Sequence, residues 1–283
     1  MSNKRIEQLA KAIEEAKDVL HMDLSINNIV DINLIKDMSN LVKLNLAKNK
    51  IKSCAIFANE DLFPNLKWLD VSNNKYNELA AFKLPKLEYL DISDNRLEKV
   101  NEGWTGHQNV RVLKSVRNNF KSLAPFKNMA KLEELYLLGN QISTLGGWES
   151  LPVLKKLHLR KNKIDKLDEE LPELPALEYL NLRSNKVAST EVVVQLFQFP
   201  NLTDINVLNN PVETNATSFN LLLADVLIKK TGIKRFCKVT VTEQNKLEAV
   251  YLARHRHEEA EKERKRKEEE ERKKAEAEAA EDA

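Results

Sequence analysis

Glycine is scarce in this chain of 283 residues, at six, and no Gly-rich phosphate-cradling loop of either common type can be assembled from it. That removes the usual nucleotide chemistries. Cysteine is scarcer still, at two. Cys54 and Cys237 stand far apart and form no Cys-x-x-Cys pair, so they read as buried thiols in a reducing compartment. No run approaches the roughly 20 apolar residues of a membrane span, and the opening "MSNKRIEQLAKAIEE" is charged throughout; a cytosolic protein without membrane attachment is expected. An excess of one charge sign is missing too. The chain has 45 basic residues against 43 acidic ones, so no global field draws it to nucleic acid or to a membrane. Of the five histidines, His21, His107, His158, His255 and His257, the last two are spaced by two, which on a helix turns the rings to different faces. No metal, cofactor, small-molecule substrate or catalytic nucleophile is expected, and the chain reads as non-enzymatic.

What the sequence does have is repetition. "LKKLHLRKNKI" at 154–164 returns as "LEYLNLRSNKV" at 177–187. Aligned on its asparagine, the pattern gives Asn27, Asn49, Asn74, Asn95, Asn118, Asn140, Asn162, Asn185 and Asn210, spaced by 22, 25, 21, 23, 22, 22, 23 and 25. This period and the Leu-x-x-Leu-x-Leu-x-x-Asn-x-Leu skeleton are those of the leucine-rich repeat. The expected fold class is α/β: a curved solenoid with parallel strands on its concave face and short helices or 3-10 turns on its convex face. In "LHL", Leu157 and Leu159 point into the body and His158 points out. One turn cannot bury that apolar edge alone, so neighbours stack. The asparagine amide has both a donor and an acceptor for backbone groups of the inward turn. All nine asparagines are assigned to a structural ladder, and losing one should cost about 1–3 kcal/mol. The fifth turn, "VRVLKSVRNNF", has Ser115 at a core leucine position, which implies lost burial and a local distortion.

An open stack needs covered ends. Residues 1–18 read as an N-terminal capping helix, with Ile6, Leu9, Ala10, Ile13 and Ala16 at helical spacing and Ser2 or Asn3 as N-cap. Residues 19–215 hold the nine repeats. Residues 216–242 read as the C-terminal cap: a helix with Phe219, Leu222, Leu223, Val226 and Leu227 on one side, then a turn carrying Ile233, Phe236, Val239 and Val241. Residues 243–283 read as a charged single helix whose root docks through Leu247, Val250 and Tyr251. From residue 254 it has ten Lys/Arg and twelve Asp/Glu, with Glu269 and Lys273 among its i, i+4 pairs. The basic run at 262–267 is followed by four glutamates and reads as a solvated helix rather than a nucleic-acid patch.

The residues flanking each strand leucine face the concave side, and twelve of them are the candidate partner-binding set: Trp68, Asp70, Tyr89, Asp91, Val112, Lys114, Val116, Tyr136, Leu138, His158, Arg160 and Arg183. Along the stack they run from acidic and aromatic through apolar to basic. An exposed cluster of Trp68, Tyr89, Val112, Val116, Tyr136 and Leu138 is what a protein interface uses, aromatic anchors rimmed by charge.

The stretch from "LEELYLLGNQISTLGGWESLPVLKKLHLRKNKIDKL" to "LEYLNLRSNKVA", then "LNNPVETNATSF" and a Glu/Arg-rich helix, resembles the leucine-rich repeat-containing protein 23 family of motile cilia. The resemblance covers residues from about 130 to 270. It implies a structural component of the axoneme in a cilium or flagellum, bridging radial spoke head or stalk subunits through solenoid and tail, with protein partners and no direct nucleic acid contact. Two rival readings come from the same repeat class. One is a regulatory subunit that holds a protein phosphatase on its concave face, where Trp68, Asp70, Tyr89 and Asp91 would serve. The other is a subunit of a nuclear ribonucleoprotein, disfavoured because the first four turns offer no basic path.

Overall fold

A computed structural model describes residues 11–13, 15–167, 171–212 and 219–281. Ser2, Asn3, Ile6, Leu9 and Ala10 of the expected N-terminal helix lie outside the described residues, as does the side chain of Phe219; Ile13, at the end of that segment, is buried.

Nine three-residue strands follow one another along the chain: β1 (His21–Asp23), β2 (Lys43–Asn45), β3 (Trp68–Asp70), β5 (Tyr89–Asp91), β7 (Val112–Lys114), β8 (Glu134–Tyr136), β9 (Lys156–His158), β10 (Tyr179–Asn181) and β11 (Asp204–Asn206). They pair parallel and in order. Together with β12 (Arg235–Phe236) and β13 (Val239–Thr240) they make one sheet of eleven strands among the described residues. From β2 onward each strand's middle residue, Leu44, Leu69, Leu90, Leu113, Leu135, Leu157, Leu180 or Ile205, is buried almost completely. Period-two alternation leaves the first and third residues facing out. Opposite the sheet lie short 3-10 turns such as Asn33–Ile35 and Ala55–Ala58 and the helix α1 (Thr190–Gln195). A second small sheet of β4 (Glu78–Leu79) and β6 (Lys99–Val100), which the repeat pattern did not indicate, sits there too. On that side Phe57, Phe82 and Trp104 recur in successive turns with ring centroids 5.7 and 6.2 Å apart, and the Trp104 indole donates to the Pro125 carbonyl at 2.6 Å.

The asparagines join each turn to the one before. Asn140 is typical: its Nδ2 donates to the carbonyls of Ser115 (2.8 Å) and Leu137 (3.1 Å), and its Oδ1 accepts from the Phe120 N–H at 3.1 Å. Equivalent bonds to the preceding turn are made by Asn49, Asn74, Asn95, Asn118, Asn162, Asn185 and Asn210. Asn27 does not fit this description and its place in the ladder is corrected. It is exposed, and its amide donates to Leu24 and Ser25 of its own turn, because the first turn has no earlier turn to bond. Ser115 is also corrected. It is fully buried, and its Oγ accepts from Asn118 Nδ2 at 3.0 Å, where other turns use a backbone carbonyl; the hydroxyl is satisfied inside the ladder, and the strand pairing of this turn is regular.

Just before each ladder asparagine the backbone enters the left-handed region, at Ile26, Lys48, Asn73, Asp94, Arg117, Lys161, Ser184 and Asn209 as well as Gly139. A non-glycine residue there costs about 1–2 kcal/mol. The geometry is held because it turns the N–H onto the next turn, as in Lys48 N to Ser72 O at 2.9 Å and Asn73 N to Ser93 O at 2.8 Å.

The residue ahead of each middle strand forms an alternating column of Lys67, Glu88, Arg111, Glu133, Lys155 and Glu178. Stacked turns put opposite charges side by side: Lys67 pairs with Glu88 at 3.4 Å, and Glu133 takes both Arg111 (2.6 Å) and Lys155 (3.2 Å). The Arg111 guanidinium foremost, with Lys155, holds the Glu133 carboxyl below its ordinary range. Glu133→Lys would set three like charges in a row. It should lower stability by about 1 kcal/mol in dilute buffer, and the loss should shrink in 1 M salt, where the screening length falls to about 3 Å. Urea melts at two salt concentrations check this.

The far end is closed by α2 (Phe219–Lys229), whose Leu222, Leu223, Val226 and Leu227 are buried. The antiparallel pair β12 and β13 follows, joined through Cys237 and Lys238, both at positive φ. Phe236 and Ile233 are buried, but Val239 is exposed, a correction to the reading of this turn. The helix α3 (Glu243–Glu281) then leaves along α2. Its docked face is also corrected: Ala249 is buried, Leu252 packs on the core, and Arg256 pairs with Asp225 of α2, whereas Leu247, Val250 and Tyr251 face solvent. Both cysteines are buried, unbridged thiols, and burial pushes Cys54 up to about 12. Among the described residues no helix is long and apolar enough to cross a membrane.

Candidate functional site

In-register parallel strands about 4.8 Å apart stack equivalent side chains into columns, and three columns run across the outer face of the sheet. The first strand position contributes Lys43, Trp68, Tyr89, Val112, Glu134, Lys156 and Tyr179; the third contributes Asp70, Asp91, Lys114, Tyr136, His158 and Asn181. Two residues further on come Val116, Leu138, Arg160 and Arg183.

Apart from exposed Lys43 and Lys156 these side chains are half-buried, Trp68, Tyr89, Val112, Val116, Tyr136 and Leu138 among them, so the expected exposed cluster is corrected. Trp68 and Tyr89 lie face to face, 5.0 Å between centroids and 7° between planes, with the Lys43 ammonium 4.5 Å from the Trp68 centroid. Lys114 sits over both Tyr89 (5.2 Å) and Tyr136 (5.6 Å) and so carries the stack from the first column into the third strand position. Tyr136 stacks on His158 at 4.3 Å, and His158 meets Tyr179 at 4.8 Å. A continuous line of rings and cations thus crosses seven turns from Lys43 to Tyr179. Such contacts are individually worth about 0.5–1.5 kcal/mol, and they hold the face in shape. Lys43 and Tyr179 were absent from the twelve candidates; their spacing from Trp68 and His158 was readable once the strands were aligned. The expected gradient of charge is less simple than read, because Lys43 and Lys114 stand among the acidic and aromatic residues of the first five turns.

The third strand position differs between the outer and the middle turns. In six turns it holds Asp or Asn, whose oxygen accepts from the N–H two residues on: Asp23 from Ser25, Asn45 from Ala47, Asp70 from Ser72 (2.8 Å), Asp91 from Ser93 (2.9 Å), Asn181 from Arg183 and Asn206 from Leu208. Asp70 and Asp91 therefore serve the turn as well as the surface. In the three middle turns Lys114, Tyr136 and His158 replace this cap; the Val116 N–H bonds the Ser93 hydroxyl instead, at 3.0 Å. These three residues make the ring and cation contacts of the stack in place of the turn bond. Around it, Glu134 is shared by Lys156 (2.8 Å) and the Tyr136 hydroxyl, which donates at 2.6 Å, and those bonds lower the Glu134 carboxyl below its ordinary range. Burial works against the Lys114 ammonium, yet its bond to the Tyr89 hydroxyl and the nearby Asp91 and Asp70 leave its pKa raised. Val112, Val116, Leu138, Arg160 and Arg183 are all half-buried on the same face.

Burial between two tyrosine rings depresses His158 to about 4, with Glu134 opposing and Lys156 assisting. The unfolded chain protonates its histidine near 6.5, while the folded chain does not until about 4. Below pH 6.5 the unfolded state therefore binds the extra proton, and the contribution of His158 to stability is lost as pH falls from there to about 4. His158→Phe should flatten the melting temperature over that window, and NMR titration of the imidazole should show the depressed midpoint; an ordinary midpoint would contradict the buried stack.

No group of three or more His, Cys, Asp or Glu side chains among the described residues is arranged to hold a metal. The arrangement of this face suits recognition: flat rings, fixed cations and aliphatic patches presented on a rigid backbone.

The leucine rich repeat family model matches residues 39–97. Leucine-rich repeat-containing protein 23 of Bos taurus is 28% identical over 236 residues, which are 81% of this chain. The chain spans 65% of the length of that curated relative. Among solved structures, that of the Toll–Spatzle complex, described as a molecular hub in Drosophila development and innate immunity, superposes with a TM-score of 0.66 at 20% identity over 80% of this chain and 30% of its own. The TLR13–ssRNA13 complex gives 0.65 at 23% over 81% and 36%, and the leucine-rich repeat domain of APL1B gives 0.58 at 21% over 73% and 59%. At these identities the structures share the fold.

Proposed function

We propose that this chain, a leucine-rich repeat protein, works without catalysis as a structural component of the ciliary axoneme that bridges radial spoke proteins, one held on the sheet face and another by the C-terminal helix. The observation that carries the reading is the preformed line of rings and cations from Lys43 to Tyr179, set in a chain similar to leucine-rich repeat-containing protein 23. The helix α3 supports it. Fixed at its root by Ala249, Leu252 and Arg256, it runs on for a total of 39 residues, about 58 Å at 1.5 Å per residue. Its basic and acidic side chains are exposed from residue 257 to 273, apart from half-buried Glu263.

The decisive measurement is fractionation of ciliated cells: the chain should stay with the axoneme after detergent has removed membrane and soluble matrix. On the sheet face, Trp68→Ala and Tyr136→Glu should each reduce recovery of partners in pull-down by about tenfold, as aromatic anchors do. Truncation after Leu252 should release the chain from the axoneme; intact assembly would remove the strut role of α3. A phosphatase regulator is the second reading, favoured by the Trp68 and Tyr89 stack beside Asp70 and Asp91. It predicts the reverse fractionation, with the chain leaving in the cytosolic wash.

A further inference from the structure

Nearly every charged side chain on the sheet face has an opposite or a polar partner. Glu134 has Lys156 and Tyr136, Asp204 has Arg235 (2.9 Å), Arg117 has Asp94, and Lys114 has Tyr89. Among the described residues Lys43 has only the Trp68 ring beneath it, and the other exceptions are Arg160 and Arg183. They occupy the same position in consecutive turns, joined by the bond from Lys161 N to Arg183 O at 2.9 Å, so their stems run side by side at the turn spacing. Neither has an ion pair among the described residues, and the Nε of each is sealed from solvent with no hydrogen-bond partner. A buried donor left open is costly, and two adjacent like charges add repulsion. The carboxylates of Glu134 and Asp204, on the strands of the same face, are engaged by Lys156 and Arg235. On either side the same column is aliphatic, with Val116 and Leu138 before the pair and Leu208 after it.

We infer that Arg160 and Arg183 are a carboxylate-receiving pair for an acidic segment of a partner protein, laid in extended form along the column with an apolar residue on Leu138 and another on Leu208. The guanidinium group matches a carboxylate with two parallel N–H donors, which a lysine does not. Three turn steps from Leu138 to Leu208 span about 14 Å at 4.8 Å per step; alternate side chains of an extended segment face one way about 6.7 Å apart, so an apolar-x-acidic-x-apolar stretch sets its apolar residues about 13 Å apart on the column with one carboxylate between the two guanidinium groups. Nucleic acid fits it less well: two arginines between aliphatic residues neutralise few phosphates, and Asp70 and Asp91 continue the face with the wrong sign. The inference rests on the reading of this face as a partner-binding surface and names the chemistry of the partner.

The test is fluorescence anisotropy with the purified full-length chain and three labelled probes: a peptide of repeated Leu-Glu-Glu-Leu, its Leu-Lys-Lys-Leu counterpart and an oligothymidylate. The acidic peptide should bind and the basic one should not. The double variant Arg160→Met with Arg183→Met, which keeps the apolar stems, should weaken acidic-peptide binding by about tenfold or more, with a melting temperature equal to or above that of the wild type. Arg160→Lys with Arg183→Lys should lose less but not recover fully. Lys127→Met with Lys131→Met, exposed cations outside the three columns, should leave binding unchanged. The inference fails if the acidic peptide ignores the wild-type chain, if the methionine variant binds it as tightly, or if oligothymidylate is the tighter ligand and is the one lost in that variant. A chain that binds the acidic peptide yet washes out of the axoneme sinks the ciliary reading alone.

Discussion

Gly106→Ala is expected to lower the unfolding free energy by about 4 kcal/mol, at the upper end of single-substitution effects. Two causes add. The backbone at Gly106 has φ +89°, where an L side chain is strained, and a Cβ built there would lie 1.9 Å from the Lys127 carbonyl oxygen and 3.1 Å from the Asn128 Cβ. The obstructing atom is backbone of the next turn, which cannot swing away as a side chain can, so the stack itself must open. Gly147 separates the causes: it has φ +74° and nothing within 4 Å of its Cβ position. Gly147→Ala should therefore cost about 1 kcal/mol, the conformational share alone. Urea denaturation of both variants reads the difference as the steric part, and equal losses would mean that the two turns do not approach as described.

The second large effect is at the ladder. Asn140→Ala should cost about 3 kcal/mol, the top of the range for an orphaned buried group, since Phe120 N and the Ser115 carbonyl lose their partner together and the Leu137 carbonyl keeps only its bond from Asn162. The methyl group left behind fills none of these needs, and a solenoid transmits the damage, because each turn is stabilised mainly by its neighbours. Asn27→Ala is the matched control. Its bonds stay within an exposed first turn, where water can replace them, so its cost should stay below about 0.5 kcal/mol. If the two substitutions proved equally mild, the bonds between turns would not be what fixes the stack.

The nine strands, the leucine core and the ladder positions were legible in the residues because a stacked fold writes the same interactions at a fixed offset. Leu69, Leu90 and Leu113 do the same work in successive turns, and so do Asn74, Asn95 and Asn118. The alternating charges from Lys67 to Glu178 obey the same rule and could have been read by aligning the turns on their strands. Aromatic roles were harder. Trp68 and Trp104 look alike in the chain, yet one stacks on Tyr89 across the open sheet and the other is buried opposite Phe82. Only the position relative to the strand separates them.

The sequence by itself determined the period, the direction in which each strand leucine points, the places where a buried amide must follow and the charged helix at the end. The tertiary structure decided the events that occur once. It turned Ala249, Leu252 and Arg256 of α3 toward α2 and left Leu247, Val250 and Tyr251 outside. It also removed Asn27 from the ladder for want of an earlier turn, and it brought Lys114 between two tyrosine rings. A repeated contact is encoded many times and can be recovered from its spacing. A contact made once depends on the shape of two surfaces meeting, and no period in the chain records it.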